Sequence, residues 1–326
     1  MNSPFPSHAA KEAPLLRLLF QTPSDFLSRT YLLQKLSCPE STLSALLQTL
    51  TTWGYSIETH PTHGIRLLQR SFSLHLDEVR TQLPLDFTWS LFHLNETQST
   101  MDFIKREGLQ GAPHGTLVIA NTQTAGRGRH GRIWSSRPEL GLYLSLLLRP
   151  DFPVDSYSRL TIIAAVSTLQ TAERLTHLDL QIKWPNDLMI EKRKLAGILT
   201  ESHLDQFQNP FAILGLGINL THQSTDFPEE LQTKASSLLI ESNQIIRRAD
   251  FLVDWIQTFQ KNLSRPFNEM IELWKLKCLN LGQSILVNTA QGPIQGTALD
   301  LESNGTLLLR DDHGKIHSIL SGIVDL

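Results

Sequence analysis

Apolar residues recur at helical spacing through the first part of the chain. "PLLRLLFQ" (14–21) carries leucines on one helical face, and "SDFLSRTYLLQKL" (24–36) opens on a Ser-Asp capping signal. "PESTLSALLQTLTTWG" (39–54) begins at Pro-Glu and stops at a glycine. Two β-like runs follow, "YSIETH" and "GIRLLQ", joined through "PTHG" as a hairpin. Three helices and a hairpin predict a winged helix-turn-helix over 13–70. Residues 1–12, polar with two prolines, are expected to be disordered.

The pattern changes over 71–275. "TLVIANTQ", "LYLSLLLR" and "FAILGLGINL" read as buried strands, and "LQIKW", "DLMI" and "KLAGILTESH" as further strands with a turn at "EKRK". "SRLTIIAAVSTLQTAERL" and "RRADFLVDWIQTFQKNL" read as helices. Strands joined directly by turns, with helices grouped between them, predict an α+β fold with a mostly antiparallel sheet. Over 276–326 only short strands appear ("SILVNT", "IQGTALDL", "GTLLLRD", "KIHSIL"), split by turns at "AQGP", "ESNG" and "DDHG". That pattern predicts an SH3-like β-barrel.

Composition narrows the picture only slightly. The 326 residues suit two or three domains, and 40% hydrophobic with 19% charged residues is ordinary globular composition. A net charge of −3 gives no overall basic bias, so any DNA binding must come from a local patch. Cys38 and Cys278 have no metal-ligand spacing and read as reduced thiols. The start lacks a signal-peptide pattern and no apolar run is long enough to span a bilayer, so a cytoplasmic location is expected.

The first candidate chemistry is "AGRGRHGRIW" (125–134), in which Gly126, Gly128 and Gly131 fall as G-x-G-x-x-G. A dinucleotide site needs a helix to open within the motif, because the helix N-terminus holds the pyrophosphate. Here Arg132, Ile133, Trp134, two serines and then Pro138 follow, and no acidic ribose partner stands about 20 residues on. The motif is neither a dinucleotide fingerprint nor a Walker loop. What remains is a turn-rich loop whose arginines suit carboxylate and phosphate oxygens. A solvated surface loop is the plainer alternative.

A second cluster shifts that balance. "KWPNDLMIEKRKLAGIL" (183–199) sets Lys183, Asn186 and Asp187 around a proline turn, with Lys194 opening the next strand. Taken alone the segment could be a β-turn with a surface charge pair, but Asp187 beside Asn186 also suits Mg²⁺ bridging nucleotide phosphates. Together with the glycine-rich strand end "GLGINL" (215–220), these residues suggest a nucleotide-activating site.

The four motifs resemble the biotin–protein ligases. The family's G-R-G-R-x-G-R stands at 126–132, K-W-P-N-D at 183–187, K-L-A-G-I at 194–198 and G-x-G-I-N at 215–219. The chain is similar throughout to the bacterial long class, the bifunctional ligase/biotin-operon repressors. The resemblance implies a class II synthetase-like catalytic domain at 71–275 between the N-terminal winged helix and the C-terminal barrel. It implies that biotin and ATP give biotinyl-5′-AMP, and that biotin passes to a lysine of the biotin carboxyl carrier protein of acetyl-CoA carboxylase. Ser99, Thr100 and Gln123 should bond the polar ring of biotin, with Gly126, Gly128 and Gly197 also lining its site. Arg127 and Arg129 should face the biotin carboxylate and the phosphates, and Arg132 the triphosphate. Lys194 should stabilise the attacking carboxylate and the α-phosphate. Lys183, Asn186 and Asp187 should organise ATP and Mg²⁺, with Asp187 assisting proton removal from the acceptor amine. Asn219 should contact adenine, and Trp134 should cover it unless it is a core residue. The loop is expected to close over the adenylate and become protected from protease, and ligand-promoted homodimers are implied by analogy.

Two departures stand out. Met101 follows Ser99-Thr100 where the family usually has Asn. The helix expected to read operator DNA has Glu40 as its only charged residue, although phosphate contacts dominate DNA affinity. Arg66, Arg70, His60 and His63 near the wing compensate only modestly. A weakened operator binder, a reader through Ser, Thr and Gln, and a structural remnant all remain open. The rival readings of the whole chain are a lipoate–protein ligase and a non-catalytic biotin-sensing DNA regulator.

Overall fold

The computed structural model describes residues 12–23 and 25–325, so the expectation for 1–11 lies outside the described residues. Contacts divide the chain into two compact units. One takes the chain through Phe87 together with 247–253; the other takes 88–246 and the remainder.

In the first unit, α1 (Ala13–Gln21) buries Leu15, Leu16 and Leu19 and packs on α4 (Leu76–Gln82). α2 is Arg29–Leu36 and α3 is Glu40–Thr52, whose Leu43, Leu47 and Leu50 at i, i+4 and i+7 form its buried stripe. β1 (Ser56–His60) and β2 (Gly64–Gln69) make an antiparallel pair, and Leu27 bridges to Ile65 along it. That bridge keeps the chain extended past Asp25. The helix therefore starts at Arg29, with Ser28 Oγ accepting from Tyr31 N, and not at the Ser24-Asp25 signal. Glu78 is fully buried and accepts from Tyr55 Oη, Arg70 Nε (2.9 Å) and Arg247 Nη2 (2.5 Å). Burial, with the Glu78 carboxylate beside it, pushes the Tyr55 hydroxyl well up.

The second unit is built on a seven-stranded sheet. Its strands are β3 (Ser90–Thr97), β4 (Thr116–Gln123), β5 (Gly141–Leu148), β6 (Gln181–Lys183), β7 (Asp187–Ile190), β8 (Arg193–Leu204) and β9 (Pro210–Asn219). The spatial order is β3-β4-β5-β9-β8-β7-β6. Only β3–β4 is parallel, because the helix α5 (Thr100–Leu109) crosses between them; every other neighbour is antiparallel, most joined by short turns. β5 is buried along its whole length, which explains an apolar run interrupted only by Ser145.

Side-chain alternation assigns the two faces of the sheet. Phe211, Ile213, Gly215 and Gly217 of β9 share the face on which α5 packs, through Met101, Ile104 and Gly108. Thr200 of β8 points the other way and bonds Thr161 of α6 (Ser158–Thr176) at 2.8 Å. α6 is in turn covered by α8 (Arg248–Leu263), where Trp255 Nε1 donates to Thr168 and Asn262 to Ser167, and by α9 (Phe267–Leu276). Being enclosed on several sides, α6 buries residues all round; its internal hydroxyls return to i−4 carbonyls. A short α7 (Leu238–Ser242) follows β9.

The chain then forms β10 (Ser284–Thr289), β11 (Gly292–Leu301), β12 (Leu307–Arg310), β13 (Ile316–Ile319) and β14 (Ile323–Asp325). They make an antiparallel sheet in the order β13-β12-β11-β10-β14. Trp184, 2% exposed, fastens this sheet to the large one. Its backbone N–H donates to Asn280 Oδ1 (2.7 Å) and its indole to Gly305 O (3.2 Å). The hydropathy pattern assigns nothing in 71–115 or 264–279, where the chain forms α4, β3, α5 and α9. Among the described residues no helix is long and apolar enough to cross a membrane.

Candidate active site

The site lies on the α5 face of the large sheet. Ser99 caps α5, its Oγ accepting from Met101 N (3.2 Å), which sets Thr100 at the helix start. Gln123, at the end of β4, accepts through Oε1 from Thr100 N (2.8 Å) and Oγ1 (3.1 Å), and donates through Nε2 to Ser136 Oγ (2.9 Å). Ser145, fully buried in β5, donates to Thr100 Oγ1 at 2.8 Å. The expected Ser99, Thr100 and Gln123 are thus brought together. Ser136 and Ser145 join them without any motif; a lone serine inside "LYLSLLLR" is the one sequence signal.

The glycine–arginine loop is a narrow hairpin. Gly128 N donates to Arg132 O (2.7 Å), Trp134 N donates to Gly126 O (2.9 Å), and Arg127 pairs with Ile133. His130 (φ 54°) and Gly131 (φ 72°) turn it through the left-handed region. A Cβ on Gly126 would stand 2.5 Å from Trp134 O and 3.0 Å from Gln123 Nε2, so only glycine lets the loop approach the Gln123 amide. Trp134 in turn packs on the glycines of β8 and β9. A Cβ on Gly217 would come within 2.5 Å of the indole, and one on Gly197 within 3.1 Å. Trp134 is half-buried, its indole N–H is buried with no partner among the described residues, and Lys194 Nζ lies 5.4 Å from its ring centroid. It is therefore neither a core residue nor a surface one.

The charged residues converge at the far end of the sheet. Lys183 and Asp187 are register partners across the β6–β7 turn. A bulge opposite Leu188 and Met189 skips Leu195 and brings Lys194 beside Gly197, where its Nζ reaches Asp187 Oδ1 at 2.7 Å. Asn186 Nδ2 donates to Ile198 O, and its Oδ1 accepts from Arg129 Nη1 at 3.3 Å. Arg129 Nη2 donates to Ser321 Oγ at 2.7 Å, so the small C-terminal sheet supplies a residue no motif announces. Burial pulls the Arg129 guanidinium down from its ordinary range, and nearby Asp187 partly offsets this.

Three expected residues stand apart from this cluster. Arg127 is held by Asp102 and Glu201. Arg132 is exposed, with no side-chain partner among the described residues. Asn219 is buried and donates to Ser236 O (2.9 Å), fastening the segment that also pairs with the Lys194 backbone.

A bifunctional ligase/repressor of Bacillus spizizenii, BirA, is 34% identical over 96% of this chain and 97% of its own length. The chain belongs to the biotin protein ligase family. A biotin–[acetyl-CoA-carboxylase] ligase of Mycobacterium tuberculosis is 30% identical over 66% of the chain and 80% of its own. The biotin/lipoate A/B protein ligase family model matches 94–219, and the biotin protein ligase C-terminal domain model matches 281–326. Among solved structures, the biotin protein ligase of Aquifex aeolicus in complex with biotin and ATP superposes with a TM-score of 0.63 at 30% identity, covering 72% of this chain and 97% of that one. In this ligase the first model ends at Asn219 and starts just before Ser99, so it encloses all four motifs. The second ends with the segment carrying Ser321, the Arg129 partner.

Proposed function

We propose that this chain joins biotin to ATP, giving biotinyl-5′-AMP and pyrophosphate, and then transfers biotin to a lysine of the biotin carboxyl carrier protein of acetyl-CoA carboxylase. One observation carries the reading: the glycine–arginine loop joins the Lys194–Asp187 ion pair, which lies beside Trp134, and its own half-buried Arg129 to Thr100 and Gln123, which are bonded to each other.

In the first step a carboxylate oxygen of biotin attacks the α-phosphorus and pyrophosphate leaves. Both reactants are anions, so the protein must neutralise charge and align them; no enzyme nucleophile is required. Lys194 and Arg129 supply fixed cations at the reacting carboxylate and α-phosphate, and Lys183 and Arg132 face the departing phosphates. Ser99, Thr100 and Gln123 orient the ring of biotin; buried ligand atoms left unpaired cost about 1–3 kcal/mol each. Gly126, Gly128 and Gly197 allow close approach, Asn186 holds Arg129, and Trp134 and Asn219 border the adenine. In the second step the acceptor amine attacks the acyl carbon, AMP leaves, and Asp187 takes the amine proton. The residues fit Mg²⁺, which binds through one or two carboxylates plus phosphate oxygens and screens phosphate charge; Asp187 with the Asn186 amide would hold it. The loop closes over the mixed anhydride and excludes water.

The N-terminal helices and hairpin are a winged helix, the C-terminal sheet an SH3-like barrel, and the large sheet a class II synthetase-like domain, with boundaries near 13–70, 71–275 and 276–326. Operator DNA is the partner of the winged helix, and ligand promotes a homodimer. The exposed face of α3 offers Ser41, Thr42, Ser44 and Gln48, while Glu40 is paired with Arg29; this supports reading through uncharged side chains. The decisive experiment incubates the chain and a carrier domain with Mg²⁺-ATP and either biotin or lipoate. Labelling with biotin alone supports the reading; labelling with lipoate, or none, overturns it.

A further inference from the structure

Arg127 occupies an unexpected place. Its Nη1 lies 2.7 Å from Asp102 Oδ1 and its Nη2 lies 2.6 Å from Glu201 Oε1, so the two arms of one guanidinium grip two different elements. Asp102 stands in the first turn of α5, two residues after the site residue Thr100, where the helix N-terminus favours a carboxylate. Glu201 lies on β8, four residues beyond Gly197 and on the same sheet face, so it borders the floor on which Trp134 rests. Arg127 is also backbone-paired to Ile133 across the hairpin. Fixing its side chain therefore fixes both strands of the loop. A guanidinium suits this task because its planar fork binds two acceptors at once, which an ammonium on a flexible stem does less well.

We propose that Asp102 and Glu201 are positioning residues of the ligase: they clamp Arg127 and so seat the glycine–arginine loop over the acyl-adenylate. Arg127 then serves the reaction through the loop's position rather than by touching phosphate. The inference rests on the ligase reading for its consequence, but the clamp itself is testable without any ligand.

The experiment uses the full-length chain with Asp102→Asn, Glu201→Gln and the double substitution. Hydrogen exchange of the Gly128 and Trp134 amides is followed in the ligand-free protein, with the β5 and β9 amides as the internal folding control. The clamp predicts exchange roughly two- to fivefold faster in each single variant and faster again in the double, with the β5 and β9 amides unchanged. It also predicts that added salt speeds loop exchange in the wild type and has little effect in the double variant. With biotin and Mg²⁺-ATP, release of the adenylate should rise by a similar factor while its rate of formation changes less than twofold. Loop exchange unchanged in the double variant overturns the clamp. Adenylate formation slowed as much as release is accelerated overturns the positioning role. A wild type that forms no adenylate, yet shows the exchange pattern, supports the clamp and refutes the ligase reading instead.

Discussion

Lys194 Nζ stands 2.7 Å from Asp187 Oδ1, so before any substrate arrives the site's ammonium and its carboxylate neutralise each other. The pair exists because the β8 bulge shifts Lys194 onto the same face as Gly197. It keeps a cation aimed at the reacting centre, and an arriving carboxylate or phosphate exchanges one counter-ion for another.

Lys194→Gln should lower the rate of adenylate formation by about 10²–10³, the usual loss when one oriented charge-stabilising donor is removed. Biotin affinity should fall far less, because Thr100 and Gln123 remain. Pyrophosphate exchange beside a biotin titration checks this; equal losses in both would place Lys194 in ground-state binding.

Gly217→Val puts side-chain atoms where the Trp134 indole now lies, since even a Cβ would stand 2.5 Å from it. Overpacking of this kind costs about 1–3 kcal/mol unless the indole moves. Trp134 should leave its shelf, with altered tryptophan emission and biotin bound at least tenfold more weakly. Gly131→Ala is the contrast. Nothing lies within 4 Å of that site, so only its positive φ is penalised, by about 1 kcal/mol, and the emission should stay unchanged.

His222 provides a pH prediction. Burial pulls its imidazole from 6.5 down to about 4, where it stacks on Phe227. The folded protein keeps the ring neutral at pH values where the unfolded chain binds a proton. Stability is therefore intact above pH 6.5 and falls as pH drops toward 4, by up to about 3 kcal/mol. Urea unfolding across that window should show the slope, and His222→Phe should flatten it.

The operator binding proposed for the N-terminal unit should depend only weakly on salt. Between Glu12 and Phe87 the cations are Arg17, Arg29, Lys35, Arg66, Arg70 and Arg80, six against seven carboxylates at 12, 25, 40, 58, 77, 78 and 86. Four of those arginines are already paired, with Glu40, Glu58, Glu78 and Asp77. Each neutralised phosphate contributes about −0.9 to the slope of log Kobs against log salt, so a slope of about −2 or shallower is expected. Fluorescence anisotropy across a salt series measures it; a slope steeper than about −5 would show a phosphate grip that these ion pairs argue against.

The sequence alone placed most of the strands, although not β3 or β14, the helices α1, α3, α6 and α8, and the four motifs that mark the ligase. Each depends on short-range pattern: apolar periodicity, turn glycines, or a run of adjacent residues. It was silent on β3, α5 and α9, whose burial depends on partners distant in the chain, and it misplaced the start of α2 because the Leu27–Ile65 bridge joins residues 38 positions apart. The tertiary structure alone decided which motif residues meet. A single bulge aims Lys194 at Asp187, two glycines on adjacent strands make room for Trp134, and Ser321 reaches Arg129 across 192 positions of chain. It also gave Arg127 to Asp102 and Glu201. A motif specifies which groups are present, but a side chain's partner is set by sheet register and loop approach, and those arise only when the whole chain is folded.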